Sequence, residues 1–191
     1  MIVFFQILSV ALPLIFSNVL HMFFVRFQWL SFLAHPLDCN KNFRGKRIFG
    51  DSKTLRGMII VTLFTAVFAE IQKYILLNNQ ILQPYSILSF YEIHAFVYGL
   101  GLGFFYMIFE LPNSFIKRQL DIQPGMRSQQ SSWFLFSLLD QADSIIGAVL
   151  YLCIFYNISW QFGIITILAG TGIHLFFNVL LYFLGLRKYP L

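Results

Sequence analysis

Charge is scarce in this sequence. Only 11% of its 191 residues are Asp, Glu, Lys or Arg, against about 25% in a soluble domain. That excludes a disordered chain, which needs high charge and low hydrophobicity. Two cysteines are too few for a disulfide scaffold. What fills their place is apolar: 58% of the residues, 24 of them phenylalanine. A water-soluble globule is excluded as well. At about 20 residues per span, the length has room for five or six transmembrane helices, so the expected fold is an all-α, polytopic integral membrane protein in a single domain covering 1–191.

The uncharged run 2–25 is long enough, at about 1.5 Å per residue, to cross a roughly 30 Å hydrocarbon core. It lacks the basic flank and small-residue cleavage site of a secretory signal, so it reads as a retained first span. Further spans are expected at 57–77, 87–109, 133–156 and 162–184. They are separated by the polar stretch 38–56, a turn with paired asparagines and Pro84, a polar connection containing Pro124-Gly125, and the cluster Asn157-Ile158-Ser159-Trp160-Gln161. Gly99 and Gly103 stand at GxxxG spacing, which admits a neighbouring backbone. The chain has 13 basic residues, and with five spans all of them but Lys73 fall on one side, including Arg127, Arg187 and Lys188. The positive-inside rule then puts the N-terminus outside and the C-terminus in the cytoplasm. An even number of spans would break this asymmetry.

Carboxylates at membrane depth are costly and mark candidate sites. Asp140 and Asp143 are three residues apart and share a helix face. They would repel unless a hard divalent cation lay between them, one stayed protonated, or the pair simply solvated a helix end. Glu110, Ser114 and Lys117 share a stripe, with Pro112 expected to kink or restart the helix. Beside Arg118, that stripe could hold a metal-bound phosphate or serve as an ordinary basic anchor. Glu70, in the second span, reads as structural or outward-lying. The stretch Arg44–Gly57 interleaves glycines with Lys and Arg, a composition suited to an anion or to acidic lipid, and it lacks the order of a Walker loop. The four histidines (His21, His35, His94 and His174) show no metal-ligand spacing and read as core, interface or loop residues.

These segments together resemble the CDP-archaeol synthase family, membrane cytidylyltransferases related to bacterial CDP-diacylglycerol synthases. His35-Pro36-Leu37-Asp38 resembles the family's Pro-[Ile/Leu]-Asp element, with Asn18 matching an Asn before it. Arg47-Ile48-Phe49-Gly50-Asp51-Ser52-Lys53-Thr54-Leu55-Arg56-Gly57 resembles its R-x-x-G-D-x-K-T-x-R-G signature. Ser114-Phe115-Ile116-Lys117-Arg118 with Pro124-Gly125 resembles S-F-x-K-R…P-G, and Leu139-Asp140-Gln141-Ala142-Asp143 resembles L-D-Q-x-D. One departure stands out. Phe109-Glu110 replaces the family's Gly-Asp, keeping a carboxylate with an added methylene and losing a glycine.

The resemblance implies transfer of CMP from CTP to a lipid phosphate, releasing pyrophosphate. It implies catalytic roles for Lys117, Arg118, Asp140 and Asp143. Substrate contacts would come from Asp38, Arg47, Gly50, Asp51, Lys53, Thr54, Arg56, Gly57 and Ser114. Mg²⁺ would be held by Asp140, Asp143 and Glu110, and the lipid chains would enter apolar grooves near the GxxxG face. The implied partners are CTP, a lipid phosphate (unsaturated archaetidic acid or a phosphatidic acid-like lipid) and the bilayer, without nucleic acid. The site would lie on the cytoplasmic face of the cell membrane. Two other readings remain open, a catalytically inactive family member and a small membrane transporter. A CDP-alcohol phosphotransferase is disfavoured because its D-G-x-x-A-R…G-x-x-x-D-x-x-x-D order is absent.

Overall fold

A computed structural model describes residues 1–122 and 133–186. Pro124-Gly125, Arg127, Arg187 and Lys188 lie outside the described residues. The helices are α1 (Ile2–Arg26), α2 (Leu55–Asn78), α3 (Ala95–Ile108), α4 (Glu110–Gln119), α5 (Trp133–Tyr156) and α6 (Trp160–Phe183). Between α1 and α2 sits a small antiparallel hairpin, β1 (Asn42–Phe43) and β2 (Lys46–Arg47), pairing Asn42 with Arg47 and Phe43 with Lys46. Among the described residues, five helical stretches are long and apolar enough to cross a membrane, with α3 and α4 together forming one of them.

Local chemistry sets the helix ends. The Thr54 hydroxyl accepts from the Gly57 N–H at 3.2 Å and starts α2, and the Ser159 hydroxyl accepts from the Phe162 N–H at 3.4 Å and starts α6. Both satisfy an N–H that has no partner within its helix. Exposed Glu70 does the same for α3 from a distance in sequence, its Oε1 accepting from the Phe96 N–H at 2.8 Å.

The third span differs from the sequence expectation. It begins at Ala95 rather than at 87 and runs on through α4 to Gln119. Residues 87–94 are non-helical, and their Ile87, Leu88 and Ile93 pack against the core beside buried Phe90. Their hydrophobicity therefore closes the end of the bundle instead of crossing the bilayer. The helix pauses at Phe109 and restarts at Glu110, so Pro112 falls in the first turn of α4, where its missing N–H is not needed. Glu110 in that first turn and Lys117 and Arg118 in the last both complement the helix dipole.

Small residues bring the helices together. A Cβ on Gly99 would lie 2.5 Å from the Ala66 Cα, and one on Gly103 would lie 2.8 Å from the Thr62 Cα. The GxxxG face is thus closed against α2 and offers no groove to a lipid chain, contrary to the sequence expectation. Buried Ser17 and Thr65 share a 2.8 Å hydrogen bond between α1 and α2. Gly147 of α5 lies under Phe109, whose Cβ would be 2.6 Å from an added methyl. By contrast, α6 packs chiefly on α5 and touches α1 only over a short stretch. Gly99→Leu should force α2 and α3 apart at a cost of roughly 1–3 kcal/mol, read as a lower melting temperature of the purified protein. An unchanged melting temperature would contradict this close approach.

Candidate active site

The site begins with one buried carboxylate. Asp38, whose side chain is fully buried, accepts from Arg47 Nη2 at 2.7 Å, from the Phe49 and Gly50 N–H groups at 3.0 and 2.9 Å, and from the Asn40 N–H at 3.0 Å. Burial alone would raise its pKa. The Arg47 guanidinium and the three backbone donors overcome that and hold the carboxyl well below the usual range. Gly50 turns at φ +84°, where glycine is favoured. The chain then runs back along itself, with the Leu37 N–H donating to the Lys53 carbonyl at 2.8 Å and the Leu55 N–H to the His35 carbonyl at 2.9 Å. This pairing presents Ser52, Lys53 and Thr54 to a cavity of about 510 Å³, a volume typical of small-molecule sites.

The opposite wall is α4 and the start of α5. Lys46 Nζ ties the hairpin to the end of α4 through the Gln119 carbonyl at 2.7 Å and Asp121 Oδ2 at 2.6 Å. Ser114, Lys117 and Arg118 line the cavity from α4, and Asp140 and Asp143 line it from α5. Asn113 Nδ2 donates to Asp140 Oδ1 at 2.6 Å and to Asp143 Oδ2 at 3.0 Å, so both carboxylates converge on one atom. Lys117 pairs with Asp140, and Lys53 pairs with Glu110 across from the loop. Burial pushes the Lys53 ammonium down in pKa. Glu110, with Asp143 and Asp140 behind it, more than offsets this and raises it above the ordinary lysine value.

The predicted residues therefore divide in two. Lys53, Thr54, Gly57, Glu110, Ser114, Lys117, Arg118, Asp140 and Asp143 share the cavity. Asp38, Arg47, Gly50, Asp51 and Arg56 are not in its lining. Arg47 is spent on Asp38 and on exposed Asp51 (2.9 Å). Arg56 is buried and donates to the Trp29 carbonyl at 3.1 Å, bracing the end of α1. These five shape the loop that carries Lys53. Glu110 is paired with Lys53, and its charge acts on Asp143 across the same cavity. Among the described residues, no three His, Cys, Asp or Glu side chains gather closely enough to hold one ion.

Sequence reasoning passed over Asn113, although it is four residues before Lys117 and so on the same helix face. It also read His21 as a core, interface or loop histidine, whereas it lines the cavity. His174 Nδ1 donates to the Gln141 carbonyl at 3.1 Å, its Nε2 shares a 3.4 Å hydrogen bond with the Tyr106 hydroxyl, and the Asn178 amide donates to Gln141 Oε1, so α6 is tied to α5 beside the aspartates.

The cavity has an apolar continuation. Leu14, Ile15 and Val19 of α1 face Ile173, Phe177 and Leu181 of α6 where those helices barely meet. A polar end with two lysines, an arginine and three carboxylates thus opens into a hydrocarbon-like slot.

Comparison with known proteins identifies the relatives of this chain. The CarS-like CDP-archaeol synthase profile matches residues 2–191. The chain is 33% identical to the CDP-archaeol synthase of Methanocaldococcus jannaschii, over 80% of this chain and 81% of that protein. It is 30% identical to that of Methanoculleus marisnigri (81% and 89%) and 34% identical to that of Saccharolobus solfataricus (81% and 81%). No solved structure matches. A five-span chain with this cavity and these motifs belongs to the CDP-archaeol synthase family of CTP-dependent cytidylyltransferases.

Proposed function

We propose that this chain transfers CMP from CTP to unsaturated archaetidic acid, an isoprenoid ether lipid phosphate, at the cytoplasmic face of the membrane. The observation that carries the reading is the continuity of a phosphate-suited polar end with an apolar slot between α1 and α6. A lipid phosphate needs both at once. The choice of ether lipid rests on the relatives, which are CDP-archaeol synthases.

A lipid phosphate oxygen attacks the α-phosphorus of CTP. A new P–O bond forms, the bond to the β-phosphate oxygen breaks, and pyrophosphate leaves. The nucleophile is already anionic near neutral pH, so no strong base is required. The chain's contribution is positioning and charge neutralisation. Lys53, Lys117 and Arg118 hold phosphate oxygens, exchanging their present carboxylate and carbonyl partners for substrate. Ser114 and the start of α2 orient the nucleotide, and the α1–α6 slot receives the lipid chains.

Asp140 and Asp143 fit a Mg²⁺ ion, since two carboxylates that converge on one atom, beside incoming phosphates, are the oxygen donors that ion takes. Glu110, engaged with Lys53, supports the lysine rather than completing the ion's shell. When bound, the metal would neutralise phosphate charge.

The test is turnover by the purified full-length protein with Mg²⁺, labelled CTP and either unsaturated archaetidic acid or phosphatidic acid in mixed micelles. CDP-lipid should form, faster with the ether lipid. A faster rate with phosphatidic acid would overturn the lipid assignment, and no CDP-lipid from either would overturn the activity.

A further inference from the structure

On one side of the cavity wall, α1 presents a stripe at helical spacing: Ala11, Leu14, Ile15, Asn18, His21 and Met22. Its chemistry changes along its length. The first three residues are apolar and face the slot, while Asn18 and His21 are polar and approach the charged end. From Leu14 to His21 is two turns, about 10 Å, the scale on which a lipid passes from chain to headgroup.

The two polar groups are not equivalent. The Asn18 amide turns back on its own helix, donating to the Leu14 carbonyl at 2.8 Å. His21 Nε2 is buried and has no hydrogen-bond partner among the described residues. The ring rests on the first turn of α2, where a Cβ at Gly57 would come within 3.1 Å of Nε2 and 3.3 Å of Cε1. Gly57, part of the long glycine–lysine signature, thus makes room for this imidazole. The charged groups acting on His21 are Arg56, Glu110 and Lys53, which puts it where the ionic end of the cavity meets the apolar slot.

We infer that His21 contacts the lipid substrate, its imidazole hydrogen-bonding an oxygen of the glycerol–phosphate region at the edge of the cationic cluster that holds the reacting phosphates. This rests on the lipid-phosphate reading above. A buried ring nitrogen without a partner is costly, and an imidazole offers an ether, ester or phosphate-ester oxygen one donor. The triphosphate of CTP is drawn to the cluster of Lys53, Lys117 and Arg118. The oxygens that come to the α1 side, above the apolar stripe, belong to the lipid.

The experiment is steady-state kinetics on the full-length protein, varying lipid phosphate and CTP separately. His21→Ala should raise KM for the lipid about tenfold, the scale of one hydrogen bond to a charged or strongly polar group, with KM for CTP within about twofold. His21→Gln, which restores a side-chain donor, should recover most of that loss. Gly57→Ala keeps the imidazole but displaces it, and should raise the lipid KM in the same direction. The assignment is overturned if an active His21→Ala enzyme keeps the wild-type lipid KM, if the CTP KM rises equally, or if His21→Gln is as impaired as His21→Ala. Wild-type protein that makes no CDP-lipid would instead overturn the cytidylyltransferase reading, and this assignment with it.

Discussion

Asp143→Asn and Asp140→Asn should each lower CDP-lipid formation by roughly 10²–10³-fold, the scale of removing one preorganised electrostatic group from a reaction centre. The fold should survive both. Asn keeps the size of Asp, and α5 retains its contacts with α3 and α6. The two variants should differ in one respect. Asp140 is paired with Lys117, so its neutralisation frees a cation, whereas Asp143 has no ion pair among the described residues and accepts from the Asn113 amide and the Ser144 N–H. CTP binding without Mg²⁺ should therefore strengthen in Asp140→Asn more than in Asp143→Asn. Titration of labelled CTP onto the purified variants, alongside turnover, checks both statements. Near-wild-type turnover in the two variants would remove the aspartates from the chemistry.

Asp38→Ala carries the largest expected effect on stability. It leaves the Asn40, Phe49 and Gly50 N–H groups without their acceptor inside a packed loop, a loss of about 3 kcal/mol or more. The loop that presents Lys53 should loosen, and turnover should fall with it although Asp38 is not in the cavity lining. The pH dependence has a definite sign. The folded state holds this carboxyl below its ordinary value, so its contribution is fully present above about pH 4. It is lost only as the pH falls through the lowered folded-state value. Melting curves of wild type and Asp38→Ala taken from pH 7 down to about pH 1 should lie far apart at neutral pH, begin to approach below about pH 4 and converge in strong acid. A constant separation over that range would contradict the hydrogen-bonded role.

Much of the bundle was legible because long uncharged runs leave few alternatives. The second, fourth and fifth spans fall within two residues of their expected ends. The third span was misplaced because composition does not say what an apolar residue is buried against. Ile87 and Leu88 cover protein, while the polar helix α4 continues a span because its charges face a cavity. The same gap separates motif from site. The signature Arg47–Gly57 was recognisable as a block, yet only coordinates divide it into side chains that enter the cavity (Lys53, Thr54) and side chains that hold the loop (Arg47, Arg56). Arg56, for one, sits in a helix and turns toward α1 through a contact remote in sequence. Glu110 was expected beside the aspartates. It lines the same cavity as they do but is paired with Lys53, a contact between loop and helix that a motif does not encode.

The pairing of α4 with α5 bears on how the protein is made. On its own, α5 brings two acidic groups to the edge of the bilayer, where each costs part of the roughly 3 kcal/mol that a charge costs at the centre. Asn113 and Lys117, which engage those groups, belong to the helix synthesised immediately before it. The order of the chain thus delivers the counter-charge to the nascent membrane segment ahead of the acids it must shelter, and the two helices form a natural unit of entry into the lipid.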